Sequence, residues 1–250
     1  MKTISILIAF FVLASCNKQS TPAVLNETFV TTIDDLTDTF KLHPLATPII
    51  SLYDFNNNQD QAATLRLVLI TDKKLNPVEQ INLSDGVTTE KTNTNDDIEH
   101  RERLIYSFIN SGTKAISDFH TQYAPKNGEL KNSECFATIS SELSLLSLNK
   151  SSRRILIIFS DLQENEEAYS SYTKDGKRLL QSKPNKVEEL LLKRCPLPRN
   201  LVGISVYFVY QPQTRGQDIL FSEMVGIYKK LLSERGARVI VQATNKMYQQ

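Results

Sequence analysis

The sequence predicts an α/β domain: a doubly wound, mostly parallel sheet flanked by helices, with one antiparallel hairpin at its edge. Three observations carry this expectation. The strongest strand candidates, RRILIIFSD (153–161) and LVGISVYFVYQP (201–212), are continuous apolar runs rich in Ile, Val, Tyr and Phe. Strands that are hydrophobic on both faces belong in the middle of a parallel sheet covered by helices. Segments with helical spacing fill the gaps between strand candidates, and that alternation is the signature of a doubly wound fold. Finally, ATLRLVLITD (63–72) and PVEQINL (77–83) are separated only by the turn residues Lys73 to Asn76, which reads as a hairpin.

The elements follow in order. Phe29 to Ile33 is the first strand. TPIISLYDFNN (47–57) offers Thr47 as an N-cap and Pro48 at the first helical position, so a short helix ending at the asparagines is expected. In residues 100–123, Leu104, Ile105, Phe108, Ile109, Ala115, Ile116 and Phe119 recur at spacings of three and four, one buried face of a long helix. SECFATISSELSLLSLN (133–149) is the next helix, with Ser133 as its N-cap, and PNKVEELLLKRC (184–195) opens with Pro184 in the first turn. Between them, the segment 163–183 places a Lys174-Asp175-Gly176 turn between short alternating runs, which predicts a surface hairpin. The last helix ends at Gly236 as its C-cap and passes into a strand at 237–242.

The N-terminus has a different character. Lys2 is a minimal basic region, Ile4 to Val12 an apolar one, and Leu13-Ala14-Ser15 precede Cys16, the pattern of a secretory signal too short to span a bilayer permanently. The ending Leu-Ala-Ser-Cys resembles a bacterial lipobox. The resemblance implies cleavage before Cys16 and diacylglycerol on its thiol; the alternative is an ordinary signal peptide with an incidental cysteine. Acyl chains would hold the protein to a membrane, since each buried methylene contributes about 0.8 kcal/mol. Asn17 is not an acidic retention residue, which points to the outer membrane, and the polar stretch 17–27 reads as a tether. The expected organisation is therefore a signal peptide at 1–15, a tether at 16–27, the α/β domain at 28–243 and a C-terminal tail at 244–250.

A net charge of +1, with no basic block interleaved with aromatics, argues against a nucleic-acid partner. Export would permit a disulfide between Cys135 and Cys195, although nothing in the sequence shows that they meet. There is no glycine-rich phosphate loop and no Gly-x-Ser-x-Gly elbow. His43, His100 and His120 lack metal-ligand spacing and read as surface residues, and the acidic run at 164–167 reads as a solvated loop. Cys135, near a helix start, has no base among its sequence neighbours and reads as a packed or bridged cysteine rather than a nucleophile.

Chemistry is expected where the strands end. In open α/β sheets ligands bind outside the carboxyl ends of the strands. The first strand runs into DDLTDT (34–39), the 153–161 strand ends in Asp161, and Ser133 opens a helix at the same edge. Asp-x-Thr-x-Thr after strand one, a hydroxyl before a middle helix and an Asp after the fourth strand together resemble a von Willebrand factor A domain, over residues 28 to 242. That family's metal-ion-dependent adhesion site uses Asp-x-Ser-x-Ser, a Thr and an Asp in these places. By resemblance, Asp35, Thr37 and Thr39 match the first motif, Ser133 stands for the Thr and Asp161 for the second Asp. Two departures are Asp38, in place of a small residue, and Ser-Asp-Leu-Gln-Glu-Asn, in place of the Asp-Gly that often follows strand four.

The resemblance implies a magnesium or manganese ion held by those five residues, with an open position for a carboxylate from a partner protein. Mg²⁺ takes six oxygens near 2.1 Å and keeps several waters, which suits hydroxyls and water-bridged acids. The alternative is that Thr37 and Thr39 cap a turn and the acids are merely solvated. The expected function is a membrane-anchored protein–protein interaction module of the cell envelope rather than an enzyme. A metal-free scaffold of the same fold and a metal-dependent hydrolase are the alternatives.

Overall fold

The computed structural model describes residues 25–37, 42–71, 76–84, 95–123 and 133–244. Six strands form one sheet: β1 (Leu25–Asp35), β2 (Ala62–Ile70), β3 (Val78–Leu83), β4 (Ser151–Phe159), β5 (Ile204–Val209) and β6 (Arg238–Gln242). Their order is β3-β2-β1-β4-β5-β6, and every pairing is parallel except that of β2 with β3. The chain thus builds one half of the sheet outward from β1, returns, and builds the other half outward from β4. The expected doubly wound sheet with an antiparallel edge hairpin is what forms.

Among the described residues six α-helices cover the two faces: α1 (Ala46–Ile50), α2 (Asn95–Tyr123), α3 (Cys135–Leu148), α4 (Lys174–Ser182), α5 (Pro184–Arg194) and α6 (Arg215–Ser233). On one face Ile49 of α1 and Ile105, Phe108, Ile116 and Phe119 of α2 pack on Val30, Leu65, Ile155, Ile157 and Tyr207. On the other, Cys135, Phe136, Ile139 and Leu143 of α3 join Val187 and Leu191 of α5 and Met224 and Tyr228 of α6 over Ile33, Leu156, Ile158 and Phe208. The apolar runs of β4 and β5 are buried on both sides because each face has its own helical layer. No helix among the described residues is long and apolar enough to cross a membrane.

Several local expectations change, and the open question of a Cys135–Cys195 bridge is answered. The segment after β4 makes α4 rather than a hairpin: the Thr173 hydroxyl accepts the Gly176 amide at 3.0 Å, so Lys174-Asp175-Gly176 is a capped first turn instead of a reversal. Leu180 then buries one side of that helix. Neither Thr47 nor Ser133 is an N-cap. Helix α1 starts at Ala46 after Leu45, and α3 starts at Cys135 after Glu134, both without a side-chain cap bond from those residues. Strand β1 extends through both acids to Asp35, because Asp34 and Asp35 pair in register with Leu69 and Ile70 of β2. Cys135 and Cys195 are free thiols, the former buried in the core and the latter at the end of α5. Gly236 is not the C-cap of the last helix: α6 ends at Ser233 with Glu234 as its cap, and Gly236 follows two residues later with φ +91°, while the amides of Gly236 and Ala237 bond back to the Ser233 and Leu232 carbonyls.

Two glycines give a paired test of this packing. A Cβ on Gly176 would lie 1.8 Å from the Ser170 carbonyl oxygen, whereas one on Gly226, in the exposed middle of α6, meets nothing within 4 Å. Gly176→Ala should destabilise the protein by about 1–3 kcal/mol. Gly226→Ala should stabilise it by about 0.5–1 kcal/mol through helix propensity. Urea unfolding of the two variants checks both signs.

Candidate functional site

The chain reverses its direction of sheet growth between β1 and β4, so the crevice at their carboxyl ends is where a ligand would be sought. Successive residues of a strand face opposite sides. Asp35 therefore shares the side of Ile33 and looks toward α3, while Asp34 shares the side of Val30 and looks toward α2. Two adjacent carboxylates enter two different environments.

Asp35 is fully buried. One carboxylate oxygen accepts the Thr37 amide at 2.9 Å and the Thr37 hydroxyl at 2.5 Å. The other accepts the Ser160 hydroxyl at 2.6 Å and the Cys135 thiol at 3.3 Å. Ser160 follows the last residue of β4 and Cys135 is the first residue of α3, so one carboxylate ties three elements together across the crevice. The Cys135 sulfur also lies 3.2 Å from the Ser133 hydroxyl, 3.5 Å from that of Ser160 and 3.6 Å from the Gln163 carbonyl. Burial pushes the thiol well up, and the negative charges of Asp35 and Glu164 push it further, so it stays protonated and donates.

The five residues matched by resemblance are thus distributed as follows. Asp35 and Thr37 touch directly, and Ser133 reaches Asp35 through the Cys135 sulfur. Asp161 accepts the Gln163 amide at 2.9 Å and the Gln163 side-chain NH2 at 2.7 Å. Thr39 lies outside the described residues. A hard divalent ion demands a shell of oxygens, whereas the neutral Cys135 thiol stands between Ser133 and Asp35 here. The donors around Asp35 form a hydrogen-bonded cage that does not fit a magnesium shell.

Glu164 is a functional-looking residue that the sequence concealed. It lies in an acidic run that reads as solvated, yet it is fully buried over the start of α3. One oxygen accepts the Phe136 amide at 2.6 Å and the Tyr228 hydroxyl at 3.1 Å, while the other has no hydrogen-bond partner among the described residues. Its pKa is pushed up to about 8, chiefly by burial and secondarily by the charges of Glu166 and Asp35, against the two hydrogen bonds that favour the anion. Glu166 is also drawn in: its side chain is largely buried against Arg194.

On the other side of β1 the two carboxylate oxygens of Asp34 each meet a histidine. His43 Nδ1 lies 3.2 Å from one and His120 Nδ1 2.8 Å from the other, and the two rings sit 3.9 Å apart at 49°. Asp34 is 3% exposed, against 40% for His43 and 31% for His120, so the carboxylate is sunk and the imidazoles form the rim. Behind them a cavity of about 10 Å³, lined by Thr32, Pro44, Leu69 and Phe119 among others, has room for one water. Among the described residues this is the one group of three such ligands close enough to hold a metal ion, its ligand atoms all lying within 4.8 Å of one another. These histidines are not the independent surface residues that their spacing implied. His120 had one legible sign: it lies four residues after Ile116 and so continues the buried face of α2.

Neither a protein-family model nor a curated protein sequence matches the chain.

The burial of Glu164 has a measurable consequence. A carboxyl raised from 4.5 to about 8 on folding contributes stability that is complete below the unfolded pKa and is lost as pH rises toward the folded one. Wild-type stability should carry a component falling by about 1 kcal/mol per pH unit between roughly pH 5 and 8. Glu164→Gln, which mimics the protonated acid, should remove that component and be more stable than wild type at the upper end. Urea unfolding of both proteins across this range is the check.

Proposed function

We propose that this chain is a lipid-anchored protein of the bacterial cell envelope that acts as a protein–protein interaction module built on a von Willebrand factor A-like scaffold. The observation that carries the reading is the crevice between β1 and β4. Asp35, Cys135 and Ser160 have no exposed surface, and Ser133 has almost none. The place where doubly wound enzymes bind substrate is filled by the protein's own hydrogen-bonded side chains. Small-molecule sites are concavities of about 300–1,000 Å³. The closed crevice favours recognition over catalysis, and recognition by the rim of the sheet rather than its interior.

Anchoring rests on Cys16 and the lipobox-like residues before it. The near-neutral net charge of +1 fits a protein partner better than a nucleic acid. Magnesium or manganese at Asp35, Thr37, Thr39, Ser133 and Asp161 is the adhesion-type form of this reading. The thiol at the centre of those residues favours its metal-free form at that position.

A second reading draws on Asp34, His43 and His120. Two imidazoles and a carboxylate are a donor set that holds catalytic zinc with a water in the fourth position. A metal-dependent hydrolase would place its chemistry there, on the α2 side of β1.

In situ cross-linking of the full chain in its native membranes tests the interaction reading. A discrete cross-linked complex is expected. It should be lost in Leu45→Glu, which alters an exposed apolar residue beside His43 at the carboxyl edge. It should persist in Leu148→Glu, which alters an exposed residue preceding β4 at the amino edge. Equal cross-linking in both variants, or none in wild type, would remove the reading. Cys16→Ser should move the protein from the membrane fraction to the soluble one, and its retention in the membrane would remove the lipid anchor.

A further inference from the structure

We propose that Asp34, His43 and His120 form a binding site for a transition-metal ion of the zinc class, with coordination positions open to solvent. The site is independent of the Asp35 cage and of the interaction reading. Its ligands come from three places far apart in sequence: the end of β1, the loop leading into α1, and the last turn of α2. Nothing local brings them together, so their convergence is a product of the fold.

The geometry is close to that of a coordinated ion. In a tetrahedral zinc site with bonds of about 2.0–2.1 Å, neighbouring ligand atoms are about 3.3 Å apart. His43 Nδ1 lies 3.2 Å from one Asp34 oxygen and His120 Nδ1 2.8 Å from the other, and one ligand atom from each of the three residues lies within 4.8 Å of the other two, so a modest contraction is needed to reach that spacing. His43 sits on a loop, so a small closing movement of that ring completes the set. An ion would be bound through Nδ1 of both rings. An imidazole that ligates through Nδ1 carries its one proton on Nε2.

The donor types select the metal. Imidazole nitrogen suits zinc, cobalt, nickel, copper and iron, whereas magnesium and calcium favour oxygen-only shells. One carboxylate offsets half the charge of a divalent ion, and the apolar wall behind it, including Leu69 and Phe119, strengthens that attraction by excluding water. Asp34 is almost completely buried while the two rings are about a third exposed. The ion would therefore be seated on Asp34, flanked by the histidines and reached from solvent, leaving room for water or for an oxygen or sulfur donor from another molecule. Bound there, it would also clip the β1–α1 loop to the end of α2.

Cobalt is the probe, because its absorption reports both coordination number and ligand type. The full chain purified in detergent is titrated with Co²⁺ and then with Zn²⁺, beside His43→Ala, His120→Gln and the double variant. Circular dichroism confirms that each is folded. The expected result is one equivalent of Co²⁺ with a low-symmetry visible band, no sulfur-to-cobalt charge-transfer band, displacement by Zn²⁺ and indifference to millimolar Mg²⁺. Affinity should fall by about tenfold or more in each single variant, and the band should vanish in the double variant. His43→Ala alone decides the matter if His120→Gln does not fold, since His43 lies outside any helix. An unchanged band in His43→Ala, a thiolate-type band, or no stoichiometric binding by wild type would each overturn the site. The interaction reading is decided by cross-linking and this site by cobalt, so either falls without the other.

Discussion

The end of β1 is the constraint on which the rest of the site depends. Two carboxylates occupy consecutive positions of a strand that is flanked on both sides by other strands and covered on both faces by helices. Strand geometry sends them to opposite faces, and burial requires each to find donors. On the α3 face Asp35 is satisfied by Thr37, Ser160 and Cys135. On the α2 face Asp34 faces His43 and His120. The loops and helix termini around the sheet edge are arranged about these two demands.

On the α3 face a buried polar cluster is tied together by the protein's own donors. Asp35 receives donors on both oxygens, the Cys135 thiol is kept neutral by burial and by the surrounding acids, and Glu164 receives the Phe136 amide and a tyrosine hydroxyl. Two acids this close to one thiol would repel strongly if all three were ionised in a medium of low dielectric. Burial chiefly, with the charges of Glu166 and Asp35, pushes the Glu164 pKa up to about 8, and its protonation relieves part of that repulsion. The α2 face is the opposite case: a sunken carboxylate with a partly open rim, which leaves chemistry possible.

Much of the fold was legible because its signals are local. The apolar runs of β4 and β5, the 3–4 spacing of α2, Pro184 at the start of α5 and Gly236 after α6 each state their structure within a few residues. Where reading failed, two local signals competed. Lys174-Asp175-Gly176 has the composition of a hairpin turn, but the Thr173 hydroxyl before it makes the same residues a helix start. Ser133 precedes a helix as an N-cap would, yet its backbone pairs with Asn165 and its hydroxyl turns to Cys135. Glu164 belongs to an acidic run that composition assigns to solvent, and only the Phe136 amide and Tyr228 hydroxyl explain why it is inside.

By itself the sequence determined the fold class, the order of the main helices and strands, and the strand end at which polar chemistry is expected to collect. These follow from hydrophobic period and chain punctuation, which act over a few residues. Tertiary structure alone decided which polar side chains meet there. His43 and His120 are separated by 77 positions, and Cys135 reaches Asp35 across 100. No spacing rule encodes such contacts. They exist because a parallel sheet brings the ends of distant strands to one edge and because helices on its two faces deliver their termini to that edge from opposite sides.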